Sequence, residues 1–343
     1  MSKINKIGKL GLVVLLVIAL GAACTPAPVV VTPPFPNRTI EGVIAWGAGG
    51  GTDLSSRLLA SIAEGHLGQS ITMTNRTGGT GAIAAQYVAD RPADGYTVMF
   101  HAENPQLYTV LGLSTLTYDD FEPILLTVQG PTVIVVHPDS PIQTFDQLIE
   151  EAKKNPGKLN LGISGVGGQP YVTANILSKV DGVSFNQVAF DGDGPLVTAL
   201  LGKHIDVTGL ALLAAVPQVQ GGAVRALAVV ANAPLAVLPG VPALGELRPA
   251  AQDMLKTAGF FYGVHVKKGT PEAVVTKLQT AFLAAYNDPK FVEFCEQRGL
   301  VRLGLSGQAA RDYMKQWQSH MTWLIYDAGG AKESPAKFNI PRP

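Results

Sequence analysis

The segment 43–57, with the sequence VIAWGAGGGTDLSSR, constrains the fold more than any other part of the chain. Its apolar start, Val43 to Trp46, predicts a short buried strand, and apolar residues then recur at helical spacing over 54–62. Thr52 or Asp53 can cap that helix by accepting a hydrogen bond from a backbone N–H group. The segment therefore predicts a strand, a glycine loop and a helix in succession.

The glycines of this loop, Gly49, Gly50 and Gly51, are its chemically informative part. Because they lack Cβ atoms, they let an incoming group approach the backbone at a helix N-terminus, where free N–H groups favour an anion. A tight turn that binds nothing is the alternative. Nucleotide loops fit less well, because Thr52 replaces the last fingerprint glycine and no Gly-Lys-Ser/Thr follows. The loop therefore favours a carboxylate.

The first 23 residues predict an export signal. Three lysines precede an uncharged apolar segment, Leu10 to Leu20, and small residues lead to Cys24. This order is typical of a signal peptide, and the apolar segment is shorter than a typical membrane span. Ala22-Ala23-Cys24 resembles a bacterial lipobox, which predicts a lipoprotein acylated at Cys24; ordinary cleavage beside an unmodified cysteine is the alternative. Residues 24–36 are rich in Pro and Val and carry no charge, as expected for an extended tether.

The composition excludes several functional classes. Lys and Arg number 26 and Asp and Glu also number 26, and no dense basic cluster or basic-aromatic stripe is present, so nucleic-acid binding is not expected. With Cys24 assigned to the anchor, Cys295 has no partner for a disulfide. The mature chain, about 300 residues, is long enough for two domains.

Two further glycine loops follow predicted strands. Ile71–Thr74 leads into the loop 75–81, NRTGGTG, and Leu159–Ile163 leads into Gly165–Gln169. Successive units of strand, loop and helix predict an α/β fold with parallel strands, and the first two loops would face one crevice at the carboxyl ends of those strands.

Short motifs in a fixed order run through the mature chain. They are Ala48–Asp53, Leu67–Gln69, Asn75–Gly81, Ala93–Thr97, Asn155–Asn160, Arg225–Val229 and Gly269–Pro271. In this order and spacing they resemble the substrate-binding proteins of the tripartite tricarboxylate transporter family, also called Bug proteins. The resemblance covers nearly the whole mature chain.

The resemblance implies a two-lobed periplasmic-binding-protein fold of type II, with two mixed sheets flanked by helices. Domain 1 would comprise residues 37–136 and 260–343, and domain 2 residues 137–259, with crossings near His137 and Phe260. The resemblance also implies a monomer without metal or cofactor that closes on a small carboxylate ligand and serves membrane permease subunits. Such a protein would be extracytoplasmic, held to the cell membrane by lipid on Cys24.

The ligand-binding residues that the resemblance implies lie in the three glycine loops and at a few other positions. They are Trp46, Ala48, Gly49, Gly50, Gly51, Thr52, Asp53, Thr77, Gly78, Gly79, His101, Gly167, Gly168, Gln169, Phe190, Asp191, Asp193 and Leu210. The first two loops would clamp one carboxylate through backbone N–H groups and waters, and the third would close from the other lobe.

Departures from the family pattern narrow the ligand class. The segment 191–194, Asp-Gly-Asp-Gly, stands where relatives often place Lys-Gly, and a carboxylate facing the cleft would repel a second carboxylate of the ligand. The third loop lacks the usual hydroxyls, and Leu210 is apolar. We therefore predict a monocarboxylate or amino-acid-like ligand, with an uncharged, apolar or cationic far end, over citrate.

Two other functional classes are weighed against ligand delivery. An enzyme is less well supported, because His-Glu-x-x-His, Gly-x-Ser-x-Gly and Cys-x-x-Cys are all absent from the sequence and the six histidines lack ligand spacing. A sensory protein that docks on a receptor instead of a permease stays open, since the sequence does not separate the two partners.

Overall fold

The computed structural model describes residues 34–257 and 259–343. The predicted signal, Cys24 and most of the predicted tether lie outside the described residues. Within them, no helix combines the length and the apolar character needed to cross a membrane.

The strands of the described residues are numbered in chain order. They are β1 (Ile40–Ile44), β2 (Ile71–Asn75), β3 (Thr97–Ala102), β4 (Phe121–Gly130), β5 (Thr132–Val136), β6 (Asn160–Ile163), β7 (Asn186–Ala189), β8 (Val207–Ala211), β9 (Arg225–Val229), β10 (Phe260–Lys267) and β11 (Val301–Leu305).

The α-helices are numbered in the same way. They are α1 (Gly51–Leu67), α2 (Ala82–Ala89), α3 (Tyr108–Leu111), α4 (Phe145–Lys154), α5 (Gln169–Asp181), α6 (Asp193–Leu201), α7 (Leu212–Gln220), α8 (Leu244–Leu247), α9 (Gln252–Leu255), α10 (Glu272–Tyr286), α11 (Pro289–Glu296) and α12 (Gly307–Asp327).

The larger sheet has six strands in the order β11-β4-β10-β3-β1-β2. β1 pairs in parallel with β2 and β3, whereas β10 runs antiparallel between β3 and β4. Because β1, β2 and β3 are parallel, the loops that follow them all lie at the carboxyl ends of these strands. The sequence analysis predicts this position for the loops after β1 and β2.

The smaller sheet has five strands in the order β7-β6-β8-β5-β9. β6 is parallel to β7 and β8, and β5 is antiparallel to β8 and β9. All five residues of β5 are buried, and so are all five of β8, as expected for strands covered on both faces.

The pairings of β4 and β5 show where the chain passes between the sheets. Gly130 pairs with Phe260 in the larger sheet and Thr132 pairs with Ala211 in the smaller one, so the chain passes from one sheet to the other at Pro131. It returns at Phe260, the first residue of β10. The two crossings lie side by side, because a Cβ atom on Gly259 would come within 2.9 Å of the Gly130 carbonyl oxygen.

The first residue of α1 differs from the predicted start. Gly50 has extended backbone angles and is the N-cap, so Thr52 and Asp53 lie inside the first turn and neither caps the helix. The Asp53 carboxylate instead accepts a hydrogen bond from the Gly49 N–H at 3.1 Å. The predicted cap at Thr144 is confirmed, since its side chain accepts a hydrogen bond from the Gln147 N–H and Gln147 completes a capping box.

Candidate functional site

A cavity of about 40 Å³ lies between the loops of the two sheets. Its volume is enough for about three water molecules. It is lined by Trp46, Gly50, Gly51, Thr52, Ala102, Glu103, Asn104, Ser164, Gly168, Gln169, Gly192, Asp193, Ala211, Phe260 and Tyr262.

Two helix N-termini open on this cavity from opposite sheets. Gly50 precedes α1, which follows β1, and Gly168 precedes α5, which follows β6; neither N-cap makes a side-chain hydrogen bond. Both helices therefore direct the positive end of their dipole at one cavity, and at α5 the Gly168 N–H donates to the Gly165 carbonyl oxygen while Pro170 has no N–H. Gly168 is required for the turn that leads into α5, because a Cβ there would lie 2.6 Å from the Ser164 carbonyl oxygen.

Glu103 follows β3 directly and is buried. Its Oε1 accepts a hydrogen bond from Gln169 Nε2 at 2.7 Å, which joins the two sheets' loops across the cavity. Its Oε2 has no hydrogen-bond partner among the described residues. Burial raises the pKa of Glu103 to about 7, although the bond from Gln169 and nearby backbone N–H groups act in the opposite direction.

Asp193, the first residue of α6, brings a second carboxylate to the cavity. Its Oδ2 accepts a hydrogen bond from the Gly51 N–H at 3.2 Å, and its Oδ1 accepts one from the Ala211 N–H at 3.3 Å. Part of the residue stays exposed, but protein atoms surround the carboxylate, and this desolvation raises its pKa to about 6 against the two hydrogen bonds.

Further hydrogen bonds join the loops of the two sheets around the cavity. The Gly47 N–H donates to the Asp191 carbonyl oxygen at 2.8 Å, and Asn104 Nδ2 donates to the Gly167 carbonyl oxygen at 3.0 Å. The Thr80 hydroxyl donates to the Val166 carbonyl oxygen at 2.9 Å. The two halves are therefore closed on each other in this structure.

Comparison with known protein families and relatives identifies the family of this chain. Residues 56–329 match the family model of the tripartite tricarboxylate transporter family receptor. The chain belongs to this family. An UPF0065 protein of Bordetella pertussis is 29% identical over 86% of this chain and 91% of its own length.

Two solved structures are similar over most of this receptor. The periplasmic binding protein BugD has a TM-score of 0.80 at 30% identity, covering 87% of this chain and 100% of BugD. An R. palustris protein with adipate has a TM-score of 0.79 at 27% identity, covering 86% and 98%. They confirm the predicted periplasmic-binding-protein fold with two mixed sheets flanked by helices, and the receptor is a solute-binding protein of this family.

The structure brings seven of the predicted site residues to the cavity of the receptor. They are Trp46, Gly50, Gly51, Thr52, Gly168, Gln169 and Asp193. Three others, Ala48, Gly49 and Phe190, border a separate open groove. Asp53 lies behind the first loop, where it binds Arg57 Nε at 2.8 Å.

The second glycine loop does not line the cavity. Gly78 and Gly79 lie outside its lining, and Thr77 donates a hydrogen bond from its hydroxyl to the exposed Asp191 carboxylate at 3.0 Å. Gly167 contributes its carbonyl oxygen to the bond from Asn104. The second loop thus joins the halves of the receptor beside the cavity and presents no N–H group to it.

His101 and Leu210 are both fully buried and do not reach the cavity. His101 Nε2 lies 3.0 Å from the Tyr108 hydroxyl, and its Nδ1 accepts a hydrogen bond from the Ala102 N–H at 2.7 Å. Burial lowers the pKa of His101 to about 4, so the ring is neutral and serves packing behind the site.

Sequence reasoning missed several residues that line the cavity, chiefly Glu103, Asn104, Ser164, Phe260 and Tyr262. A signal for the first two is present in the sequence. Glu103 and Asn104 form a polar pair between the apolar strand β3 and Pro105, at the carboxyl end of a parallel strand where ligands bind. Phe260 and Tyr262 come from an antiparallel strand, for which that rule gives no guidance.

Proposed function

We propose that this receptor captures a small carboxylate-containing ligand between its two lobes and delivers it to the permease subunits of a tripartite tricarboxylate-type transporter. The observation that carries the proposal is that two helix N-termini, those of α1 and α5, face one cavity from opposite sheets. Such N-termini bind carboxylates through backbone N–H groups. The adipate of the R. palustris relative supports the same ligand class.

The lobes that close on this ligand follow the two sheets. We assign residues 37–130 and 260–343 to one lobe and residues 131–259 to the other, which moves the predicted first boundary to the crossing at Pro131. Rotation about the adjacent crossings at Gly130 and Gly259 would open the cleft, since few backbone angles need to change there.

Binding without turnover is part of the proposal. Ser164 brings a hydroxyl to the cavity, but the hydrogen bonds of the Glu103 and Asp193 carboxylates among the described residues go to Gln169, Gly51 and Ala211, so neither acid is positioned on this serine as a base. The closure of the lobes then serves capture and release. A sensory protein closes in the same way, and delivery is favoured here because the family is one of transporter receptors.

The place of the receptor in the cell follows from its N-terminus. We propose that the signal segment 1–23 is removed and that Cys24 carries lipid, which holds the protein on the outer side of the cell membrane. The Pro-rich segment 24–36 would then give the lobes freedom to reach the permease.

A thermal-shift screen of the mature protein tests ligand capture. The compounds are mono-, di- and tricarboxylates, amino acids and aromatic acids. A ligand at a hundred times its Kd should stabilise the native state by about 2.7 kcal/mol. If no carboxylate stabilises the protein, the proposed capture is wrong. Uptake of the identified ligand by cells with and without this gene tests delivery, and equal uptake would contradict it.

A further inference from the structure

The cavity is acidic although the family suggests an anionic guest. Glu103 and Asp193 both line it, and no lysine, arginine or histidine does so among the described residues. A ligand with carboxylates at both ends would place at least one of them against these acids, which is unfavourable in a desolvated site.

The two carboxylate oxygens of Glu103 differ in their hydrogen bonding. The residue is 1% exposed, Oε1 is bonded to Gln169, and Oε2 is a buried oxygen without a hydrogen-bond partner among the residues that the structure describes. Buried polar atoms are rarely left unbonded, so an unpaired oxygen beside a cavity indicates a donor on the molecule that enters.

Asp193 and Glu103 restrict where a ligand carboxylate can lie. The Asp193 carboxylate already takes the Gly51 N–H of the α1 N-terminus. At α5 the Gly168 N–H donates to the Gly165 carbonyl oxygen, Pro170 has no N–H, and the Gln169 side chain is bonded to Glu103. Glu103, Asp193 and the ring of Trp46 line the same cavity. An aromatic face and two carboxylates are the partners that proteins offer to a cation.

We infer that the ligand carries a primary ammonium group, which lies against Glu103 and Asp193, and a single carboxylate, which takes the remaining N–H groups of the two helix N-termini. This inference rests on the proposed function and names its ligand class as a short zwitterion. The N–H donors of the ammonium complete the hydrogen bonding of Glu103 Oε2. The closed cavity, about 40 Å³, favours a short chain between the two charges, and the lobes must move apart to admit the longer members of this class.

Calorimetry on the full mature protein tests the inference with matched compounds. The probes are glycine, 3-aminopropanoate and 4-aminobutanoate, each compared with analogues that replace only the ammonium group. For 4-aminobutanoate these are pentanoate, in which a methyl group replaces it, and glutarate, in which a carboxylate does. The zwitterion should bind at least about tenfold more tightly than either analogue.

Two variants locate the ammonium, and one controls for charge. Glu103→Gln and Asp193→Asn should each weaken zwitterion binding by about tenfold or more, without weakening pentanoate binding. Glu150→Gln removes an exposed acid on α4 and should change neither affinity. Thermal unfolding of each variant separates loss of binding from loss of fold.

The outcomes separate this inference from the proposed function. Equal or tighter binding of an analogue, or a ligand from the wider screen that has no ammonium group, overturns the inference and leaves carboxylate capture standing. Zwitterion binding that is indifferent to both variants also overturns it. Failure of every carboxylate to bind overturns both.

Discussion

The Asp193 carboxylate accepts a hydrogen bond from the Gly51 N–H at 3.2 Å, across the boundary between the two lobes. An acidic side chain of one lobe thereby uses a helix N-terminus of the other, at the position where the sequence predicts the ligand's carboxylate. The sequence analysis predicted that both Asp191 and Asp193 belong to the ligand site, but the two side chains have different positions in the structure. Asp193 reaches the cavity, whereas Asp191 is exposed and bonded to Thr77.

The affinity for a zwitterion should rise with pH. Raised pKa values, about 6 for Asp193 and about 7 for Glu103, mean that both groups lose their charge as the pH falls through this window. Only their ionised forms attract an ammonium, so binding should release protons and strengthen from pH 5 to pH 8. Calorimetry in buffers of different ionisation enthalpy measures the protons released. Binding of glutarate should weaken over the same range.

Neighbouring titratable groups do not reverse this pH dependence. Four buried tyrosines interact electrostatically with the acids, and two histidine rings lie against two of these tyrosines; the six residues are Tyr108, Tyr118, Tyr262, Tyr313, His101 and His265. Burial raises the pKa values of the tyrosines and lowers those of His101 and His265 to about 4 and about 3. All six groups therefore stay neutral between pH 5 and pH 8. An affinity that is flat over this range would contradict the role given to the acids.

A large side chain at Gly50 should block the ligand. A Cβ there meets one tight contact, 3.3 Å to the Gly47 carbonyl oxygen, and an ordinary one, 3.5 Å to the Asp193 nitrogen, but leucine would extend into the cavity between the lobes. Gly50→Leu should lower affinity by about 10- to 100-fold, because overpacking costs about 1–3 kcal/mol. Calorimetry measures the loss. Gly65→Leu, on open surface of the same helix, is the matched control and should bind normally.

Local patterns predicted the parallel part of the fold well, because its strands are apolar runs followed by loops of glycine. β4 was not predicted from the sequence, because Pro123 interrupts its apolar pattern. Proline cannot donate to a sheet. It is tolerated here because β11 pairs with β4 only from Leu126 to Gln129, so Pro123 has a strand on one side alone.

The cavity was harder to predict than the fold. The glycine loops are visible as motifs, but whether a loop faces a cavity depends on the closure of the lobes, which brings Thr77 to Asp191 and leaves Gly79 outside. Glu103 becomes informative only once its burial is known. An exposed glutamate after a strand would be unremarkable, whereas a buried oxygen without a partner indicates a ligand.

The emission of Trp46 should report binding. Its indole is 8% exposed, lines the cavity, and has an Nε1 without a hydrogen-bond partner among the described residues. A ligand that replaces solvent beside this ring should shift its fluorescence. The measurement uses a protein with Trp317→Phe and Trp323→Phe, which leaves Trp46 as the sole tryptophan. Unchanged emission during binding that calorimetry confirms would place the ligand away from Trp46.

The anchor is testable separately from the site. Cys24→Ala should release the protein from membranes without changing ligand affinity, because Cys24 precedes the lobes by the predicted tether. Fractionation followed by a salt wash measures release, and a Ser2→Ala variant is the control that should stay bound. Retention of the Cys24→Ala protein in the membrane fraction would contradict lipid attachment.

Acid should destabilise the receptor through His265. Both ring nitrogens of this buried residue lack hydrogen-bond partners among the described residues, while the ring stacks on Tyr118 with centroids 4.3 Å apart. Burial, with a smaller contribution from His101, lowers its pKa from 6.5 to about 3. Below about pH 6.5 this histidine therefore binds a proton in the unfolded chain but not in the folded protein. The free energy of unfolding falls progressively as the pH drops from there towards 3.

Replacing the imidazole isolates this effect. His265→Phe keeps an aromatic ring for Tyr118 and removes the titration, so the free energy of unfolding should fall by about 2 kcal/mol less between pH 7.5 and pH 5 than in the unmodified protein. Any packing penalty from the larger ring is the same at both pH values and cancels in this difference. Urea unfolding at the two pH values measures it, with the exposed His66→Gln as control. If His265→Phe loses as much stability on acidification as the unmodified protein, then His265 is not the acid-sensitive group.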